Sequence, residues 1–307
     1  MLLIPRLPNS LGGIVRRSGF RVPRIALAAV IVVISASCSS SGSKASSATT
    51  SLRMPSTTQS VATSSGPQVA AGTLSTRLDY SSTGQAAWTG SCNLTTSHAQ
   101  SPIDLPVEAA PPTSMSTLHF NFVAADPVKV TKSDHDIVIT PTASNTVTYS
   151  GRTYHLLQVH FHAPSEHHIG ATGYPAEAHF VFASAGSTTP ALVIAQFLAT
   201  STTAPTNTGW GEFVKAVSSV TPLAAGAIKQ ATGFTWLAMT GDPSKTRYEY
   251  PGSLTTPPCT EGIQWVVFKK PIELSTSQLS TVTTAMGENT NRALQTLNGR
   301  TVNFYTG

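Results

Sequence analysis

The sequence predicts a mainly β protein over residues 77–307, and three observations support that class. Apolar and polar residues alternate with a period of two over several short segments, which is typical of half-buried strands. The chain contains 21 prolines and 22 glycines, which separate these segments and favour turns over long helices. Helical periodicity is confined to two short stretches. A single domain of this length is ordinary for an all-β architecture.

Six segments carry the strand pattern and two carry a helical pattern. The predicted strands cover residues 136–140, 145–149, 156–162, 177–182, 191–198 and 263–268. In the third strand, successive residues point to opposite faces. Leu157, Val159 and Phe161 form the apolar face. The fifth is a continuous apolar run. Short helices are predicted at 210–220 and 277–286, where apolar residues recur at helical spacing.

The composition excludes several classes of protein. Charged residues make up 11% of the chain, well below the usual ~25%, while hydrophobic residues make up 40%. These values allow a buried core and exclude a coiled coil or a fully disordered protein. The net charge of +5 is explained by five arginines in residues 1–37, a segment without acidic residues. The rest of the chain is balanced, so its charge does not indicate a nucleic-acid partner.

The first 37 residues have the features of a signal peptide. Arginines from Arg16 to Arg24 precede an apolar run over 25–34, about half the ~20 residues that span a bilayer. An uncleaved anchor is the alternative. Residues 34–38 resemble a bacterial lipobox, which implies a lipid on Cys38 and an exported lipoprotein on the extracytoplasmic side of the cell membrane. A secreted or periplasmic protein is the alternative location.

A segment rich in serine and threonine follows this leader. Sixteen of residues 39–66 are Ser or Thr, and none is aromatic. Such a segment cannot bury enough apolar surface to offset the entropy cost of ordering it. We therefore predict a disordered tether over 38–76 and a single domain over 77–307.

Histidines on two predicted strands indicate a metal site. His160 and His162 are two residues apart, so their side chains leave the same face of a strand. His179 lies on a later strand, and the short connection suits an antiparallel neighbour. Three histidines with an open fourth position are typical of catalytic zinc. Gln158 and Glu177 lie on the same faces as the ligands. Their side-chain oxygens could accept hydrogen bonds from the ring nitrogens that do not bind the metal.

Two families could place histidines in this way. In a cupin, Glu166 and Gly173 would follow the pair His160 and His162, but Tyr154 occupies the position of a motif glycine. The third histidine also follows too soon for a cupin. The remaining motifs of the chain decide between the two families.

The chain resembles the α-class carbonic anhydrases along nearly all of residues 77–307. The blocks that carry the resemblance occur in family order: Gln100-Ser101-Pro102-Ile103-Asp104, Gln158-Val159-His160-Phe161-His162, Ser165-Glu166-His167, Ala176-Glu177-Ala178-His179, Tyr250-Pro251-Gly252-Ser253-Leu254-Thr255-Thr256-Pro257-Pro258-Cys259, Gln264-Trp265, and Arg292 with Leu297-Asn298-Gly299-Arg300. The chain departs from the pattern at Ala163, where a tryptophan is usual, and at Thr290, where an asparagine is usual. At the position of Thr290, members of the family contribute a backbone carbonyl rather than a side chain.

The resemblance implies a fold, a cofactor and a reaction. The fold would be a large, mostly antiparallel twisted sheet with short peripheral helices. His160, His162 and His179 would bind Zn²⁺, and zinc-bound hydroxide would reversibly hydrate carbon dioxide to bicarbonate and a proton. Thr255 would orient that hydroxide through a hydrogen bond to Glu166. The alternatives are a catalytically silent binding domain on the same fold and a surface zinc esterase.

The resemblance also implies the surroundings of the metal. His135 would carry the product proton to buffer, as suits an imidazole with a pKa of ~6.5. Cys92 and Cys259 would form a disulfide. The positions that would line the substrate pocket are Val181, Val193, Leu254, Thr256 and Trp265. Tyr80 would lie near the water network of the cavity.

Overall fold

The computed structural model describes most of the predicted domain. The described residues are 78–93, 99–108, 116–133, 136–201, 208–221, 223–240, 242, 246–287 and 289–306. The predicted signal peptide and tether, with Cys38, lie outside these ranges, and so does His135. Within the described residues, no helix combines the length and the hydropathy needed to cross a membrane.

Short strands dominate the described residues. The strands are β1 (Asp104–Leu105), β2 (Leu118–Asn121), β3 (Asp126–Lys132), β4 (Ile137–Pro141), β5 (Thr146–Tyr149), β6 (Arg152–His162), β7 (His168–Ile169), β8 (Ala176–Ser184), β9 (Pro190–Thr200), β10 (Ile228–Phe234), β11 (Arg247–Ser253), β12 (Glu261–Leu274) and β13 (Asn303–Tyr305). The helices are α1 (Ser82–Ala86), α2 (Gly211–Val220), α3 (Trp236–Met239) and α4 (Thr276–Met286).

One large sheet organises the domain. Its strands run in the order β10-β3-β4-β6-β8-β9-β12-β11-β13, and β5 joins β2 to the first half of β6. Neighbouring strands are antiparallel except for β9 and β12, which are parallel. β1 and β7 form a separate parallel pair. The predicted fold class, a mostly antiparallel sheet with short helices, is confirmed.

The two faces of the sheet bury different side chains because successive residues of a strand point to opposite sides. On one face, Val159, Phe180 and Ile194 belong to an apolar core that includes the buried sides of α2 and α4. On the other face, Val193 and Phe197 belong to a second apolar core. The three candidate metal ligands lie on this second face, where His179 pairs with Ala195 of that core.

The prediction for Leu157 is wrong because β6 contains a bulge. Leu156 pairs with Phe182 and Gln158 pairs with Val181, so Leu157 is an extra residue between two successive pairs. Leu156 consequently occupies the apolar face beside α2, while Leu157 packs on the other face. After the bulge the strand alternates regularly, so Gln158 and the two histidines lie on one side.

Two further differences have local causes. The sequence analysis did not predict β11, because Pro251 and Gly252 interrupt its pattern. Pro251 pairs with Gln264 of β12 but lies beyond the residues that pair with β13, so its missing N–H breaks no hydrogen bond to β13.

Helix α4 begins at Thr276, one residue earlier than predicted. Ser275 and Gln278 cap it reciprocally, and such a capping box defines a helix start.

Candidate metal centre and its cavity

The three predicted ligands converge across one strand pair. His160 lies directly opposite His179 in the register of β6 and β8, and His162 is two residues further along β6. One ring nitrogen from each residue lies within 4.8 Å of the others. His162 and His179 are almost completely buried, and His160 is partly exposed. The three imidazoles therefore surround one point that remains open on the side of His160.

A protein acceptor holds the second nitrogen of each imidazole. His160 Nδ1 donates to Gln158 Oε1 at 2.9 Å, and His179 Nε2 donates to Glu177 Oε1 at 2.9 Å. His162 Nδ1 donates to the carbonyl oxygen of Thr290 at 2.5 Å. Because these oxygens only accept, each neutral ring carries its lone pair on the opposite nitrogen. Those nitrogens are His160 Nε2, His162 Nε2 and His179 Nδ1.

The donor set fits a zinc ion. Two of the inward nitrogens, His162 Nε2 and His179 Nδ1, lie 3.5 Å and 3.9 Å from the same oxygen, Glu166 Oε2. Among the described residues, this buried oxygen receives no hydrogen bond. Burial lowers the pKa of His179, which favours the neutral imidazole that binds metal. Three neutral imidazoles around one point are the ligand set of catalytic zinc sites.

Glu166 is a buried carboxyl beside these ligands. Its Oε1 accepts a hydrogen bond from the backbone N–H of Arg292 at 2.8 Å. Burial raises the pKa of Glu166 to about 7, although the charge of His179, the Arg292 N–H and the Thr255 hydroxyl all act to lower it. The Thr255 side chain, itself buried, is thus close enough to Glu166 for its hydroxyl to act on the pKa of the carboxyl. The predicted pair of Glu166 and Thr255 is brought together next to the histidines.

Glu177 is the centre of a buried polar network. Its Oε2 accepts the backbone N–H groups of Glu166 and His167, and its Oε1 accepts His167 Nδ1 at 2.7 Å as well as His179. His167 Nε2 contacts the Tyr250 hydroxyl at 2.6 Å. Burial opposes ionisation of Glu177, but the charge and hydrogen bonds of His167 and His179 outweigh it and lower the pKa. Glu177 is therefore an anionic support for His179.

The family resemblance implied no role for His167, and its support of Glu177 was not predicted. Its block, Ser165-Glu166-His167, was the available signal. The structure also groups His167 with Glu177 and His179 at metal-binding distances. Hydrogen bonds to Glu177 and to the Tyr250 hydroxyl use both nitrogens of His167, so this group stabilises the ligand His179 rather than forming a second site.

A disulfide braces the loop that carries Thr255. Cys92 and Cys259 are bonded, with their Cα atoms 5.0 Å apart, as the resemblance implies. The same loop is closed by a hydrogen bond from Leu254 N to Thr260 O, at 2.9 Å. The disulfide and this hydrogen bond thus restrain the loop that carries Thr255.

An apolar wall flanks the histidines. Val181 pairs with Val193 across β8 and β9, and Val193 pairs with Trp265 across β9 and β12. All three side chains are buried, and Leu254 packs against them. The Trp265 ring lies 4.9 Å from the His179 ring, measured between centroids. The predicted substrate-pocket residues on these strands therefore form a continuous surface beside one ligand.

A small cavity opens at the partly exposed ligand. It has a volume of about 110 Å³. Its lining residues are Tyr80, Asp136, Gln158, His160, Phe161, His162, Thr256 and Thr290. Tyr80 and Thr256, both singled out from the sequence, are among these lining residues. Asp136 and Thr290 were not predicted to line it, because the sequence gives no pattern that brings the start of β4 and the C-terminal segment to β6.

Comparisons with known proteins give the family. A sequence model of the eukaryotic-type carbonic anhydrases matches residues 83–306, which include every described part of the site except Tyr80. The chain belongs to the eukaryotic-type carbonic anhydrase family.

Relatives and solved structures agree with this assignment. A carbonic anhydrase of Neisseria gonorrhoeae is 37% identical over 177 residues, which cover 57% of this chain and 66% of the relative. Carbonic anhydrase Cah3 of Chlamydomonas reinhardtii, solved with acetazolamide, matches with a TM-score of 0.64 and 29% identity, covering 72% of this chain and 95% of that one. The α-carbonic anhydrase of Thermovibrio ammonificans, solved with sulfanilamide, matches with a TM-score of 0.61 and 32% identity, covering 69% and 88%.

Proposed function

We propose that this protein is a zinc enzyme that reversibly hydrates carbon dioxide to bicarbonate and a proton. The observation that carries the proposal is the convergence of His160, His162 and His179 beside Glu166 and Thr255. The names of the relatives support the same reaction. When bound, zinc supplies Lewis acidity that lets water act as a nucleophile near neutral pH.

Thr255 and Glu166 orient the attacking water. An ionised carboxylate only accepts hydrogen bonds, so the Thr255 hydroxyl must donate to Glu166. The Thr255 oxygen is then an acceptor for the O–H of water, and a lone pair of that water turns away from Thr255. The Arg292 N–H donates to Glu166 Oε1 and keeps the carboxylate in place.

The apolar wall supplies the position for the substrate. Carbon dioxide is small and has no net dipole, so burying it against Val181, Val193 and Trp265 costs no polar desolvation. Leu254 and Thr256 would complete the pocket at the loop. Carbon dioxide would then lie beside the metal ligands, mainly against apolar side chains.

Stopped-flow measurement of carbon dioxide hydration by the purified full chain tests the proposal. An ester-hydrolysis assay on the same preparation separates the two alternative functions. Fast hydration of carbon dioxide with weak esterase activity supports the proposed reaction. Strong ester hydrolysis without carbon dioxide hydration would favour the surface esterase, and neither activity would favour a silent binding domain.

His135 is the proposed group that delivers the product proton to buffer. His135→Ala should lower kcat in dilute buffer by roughly tenfold and leave kcat/KM for carbon dioxide near the parent value. The attack on carbon dioxide does not use His135, whereas removal of the proton does. Stopped-flow assays in dilute and concentrated imidazole buffer measure both constants. A parental kcat in dilute buffer would show that His135 is not on the proton path.

Cys38 is the proposed site of a lipid anchor on the extracytoplasmic side of the membrane. Cys38→Ser should release the protein from the membrane fraction and leave its activity unchanged, because the apolar run before Cys38 is too short to span a bilayer stably. Cell fractionation after labelling with a fatty-acid analogue tests this. A variant that stays in the membrane, together with an unlabelled parent, would instead indicate an uncleaved anchor.

A further inference from the structure

Asp136 is a carboxylic acid in the wall of the cavity beside the metal ligands. It precedes β4 and lines the same cavity as His160 and His162. The sequence analysis assigned this residue to a strand and gave it no role in the chemistry. The reaction proposed for this site releases a proton, and a carboxylate in the cavity wall could accept it.

Two backbone groups fix one oxygen of this carboxyl. Asp136 Oδ1 accepts the N–H of Ile137 at 2.6 Å and the N–H of Phe161 at 3.4 Å. Phe161 lies on β6 between two of the proposed ligands, so the carboxyl is attached to the strand that carries them. Among the described residues, the other oxygen, Oδ2, receives no hydrogen bond and makes no ion pair. Oδ2 is therefore the oxygen of this carboxyl that these residues leave without a hydrogen bond, in a side chain that lines the cavity.

We propose that Asp136 is a proton-accepting residue of the carbon dioxide hydration reaction, with Oδ2 taking the product proton from cavity water. The inference rests on the proposed function. Hydration of carbon dioxide forms bicarbonate and one proton. The Asp136 carboxylate binds that proton and becomes a neutral acid, and a buffer base then removes the proton and restores the carboxylate. No oxidant, reductant or further reactant is needed.

The electrostatic surroundings suit this role. Burial raises the pKa of the Asp136 carboxyl well above its usual range, the two backbone N–H groups oppose that effect, and the charge of Glu166 adds to it. A carboxyl with an ordinary pKa near 4 holds a proton too weakly to act as a transfer group at neutral pH. The other ionisable groups that line the cavity are Tyr80, His160 and His162. His135 is adjacent to Asp136 in the chain.

A local structural role is the competing explanation, because Oδ1 also joins the start of β4 to β6. Asp136→Asn separates the two. The asparagine Oδ1 can accept the same N–H groups, while its amide cannot take up a proton. Asp136→Glu retains a titratable carboxyl. Asp104→Asn is a matched control, because Asp104 is an exposed carboxyl that also accepts a backbone N–H, from Ala171, away from the cavity.

The test measures kcat and kcat/KM for the zinc-loaded full chain in dilute and in concentrated imidazole buffer. We expect Asp136→Asn to lower kcat in dilute buffer by roughly tenfold, to leave kcat/KM near the parent value, and to recover in concentrated imidazole. Asp136→Glu should recover part of the rate, and Asp104→Asn should match the parent. The same comparison in a His135→Ala background should show a further drop in kcat.

A second readout does not depend on activity. Infrared difference spectra of the parent against Asp136→Asn, recorded across the neutral pH range, should contain a protonated-carboxyl band that belongs to Asp136. The proposal is overturned if Asp136→Asn has the parental kcat in dilute buffer in both His135 backgrounds. It is also overturned if kcat and kcat/KM fall together in every buffer, which indicates a structural role. A parent that is loaded with zinc but does not hydrate carbon dioxide in any buffer contradicts the proposed function itself.

Discussion

His179→Ala should weaken zinc binding by more than about 100-fold and bring carbon dioxide hydration close to the uncatalysed rate. Loss of an outer hydrogen-bond partner alone typically costs 10- to 100-fold in metal affinity, and this change removes a ligand atom. His160→Ala and His162→Ala should behave in the same way. Zinc content after gel filtration, measured by elemental analysis, and stopped-flow hydration rates check the prediction.

His155→Ala is the matched control for these variants. His155 is a partly exposed imidazole on the same strand, β6, and pairs with Thr146 away from the cluster. It should retain zinc and the parental rate. Thermal unfolding of each zinc-free variant should resemble that of the zinc-free parent, since Glu177 keeps its bond to His167 after the loss of His179. Full zinc occupancy with a normal rate in any of the three ligand variants would contradict the ligand assignment.

Thr255→Val should lower kcat/KM for carbon dioxide by about 100-fold while zinc remains bound. Removal of one well-placed hydrogen bond in a transition state typically costs a factor of 10² to 10³. Valine has nearly the shape of threonine but neither donates to Glu166 nor accepts from water. The measurement is the stopped-flow rate at low carbon dioxide concentration, together with the zinc content of the same sample.

Thr255→Ser separates loss of the hydroxyl from loss of packing. Serine keeps the hydroxyl that contacts Glu166, so this variant should retain most of the parental activity. Equal activity of the valine variant and the parent would show that the hydroxyl does not orient the attacking water. Equal losses in both variants would indicate a packing defect in the braced loop.

Strand periodicity was sufficient to predict the side of the sheet on which the main polar residues lie. His160, His162 and Gln158 share a face because they are two residues apart, and the antiparallel return of β8 brings His179 opposite His160. The bulge at Leu157 could not be predicted, because it depends on how β6 pairs with β8 rather than on the pattern within β6. The resemblance to a known family supplied Glu166, Thr255 and the disulfide, which no local pattern indicates.

Contacts made by backbone atoms from distant segments could not be predicted from the pattern of side chains. The Thr290 carbonyl reaches His162, and the Arg292 N–H reaches Glu166, across more than a hundred residues of sequence. The family resemblance indicated only that the backbone carbonyl at Thr290 takes part in the site, not that it accepts a hydrogen bond from His162. The burial that raises the pKa of Asp136 is a property of the packed cavity, so no pattern of residues predicts it.

We expect zinc held by the three histidines to make this protein a carbon dioxide hydratase. The most direct measurement is the stopped-flow hydration rate of the full chain before zinc removal by a chelator, after removal, and after return of one equivalent of zinc. The account predicts that the catalysed rate disappears with the zinc and returns when zinc alone is restored. An undiminished rate in protein shown to be free of zinc, or no catalysis by the zinc-saturated protein, would contradict it.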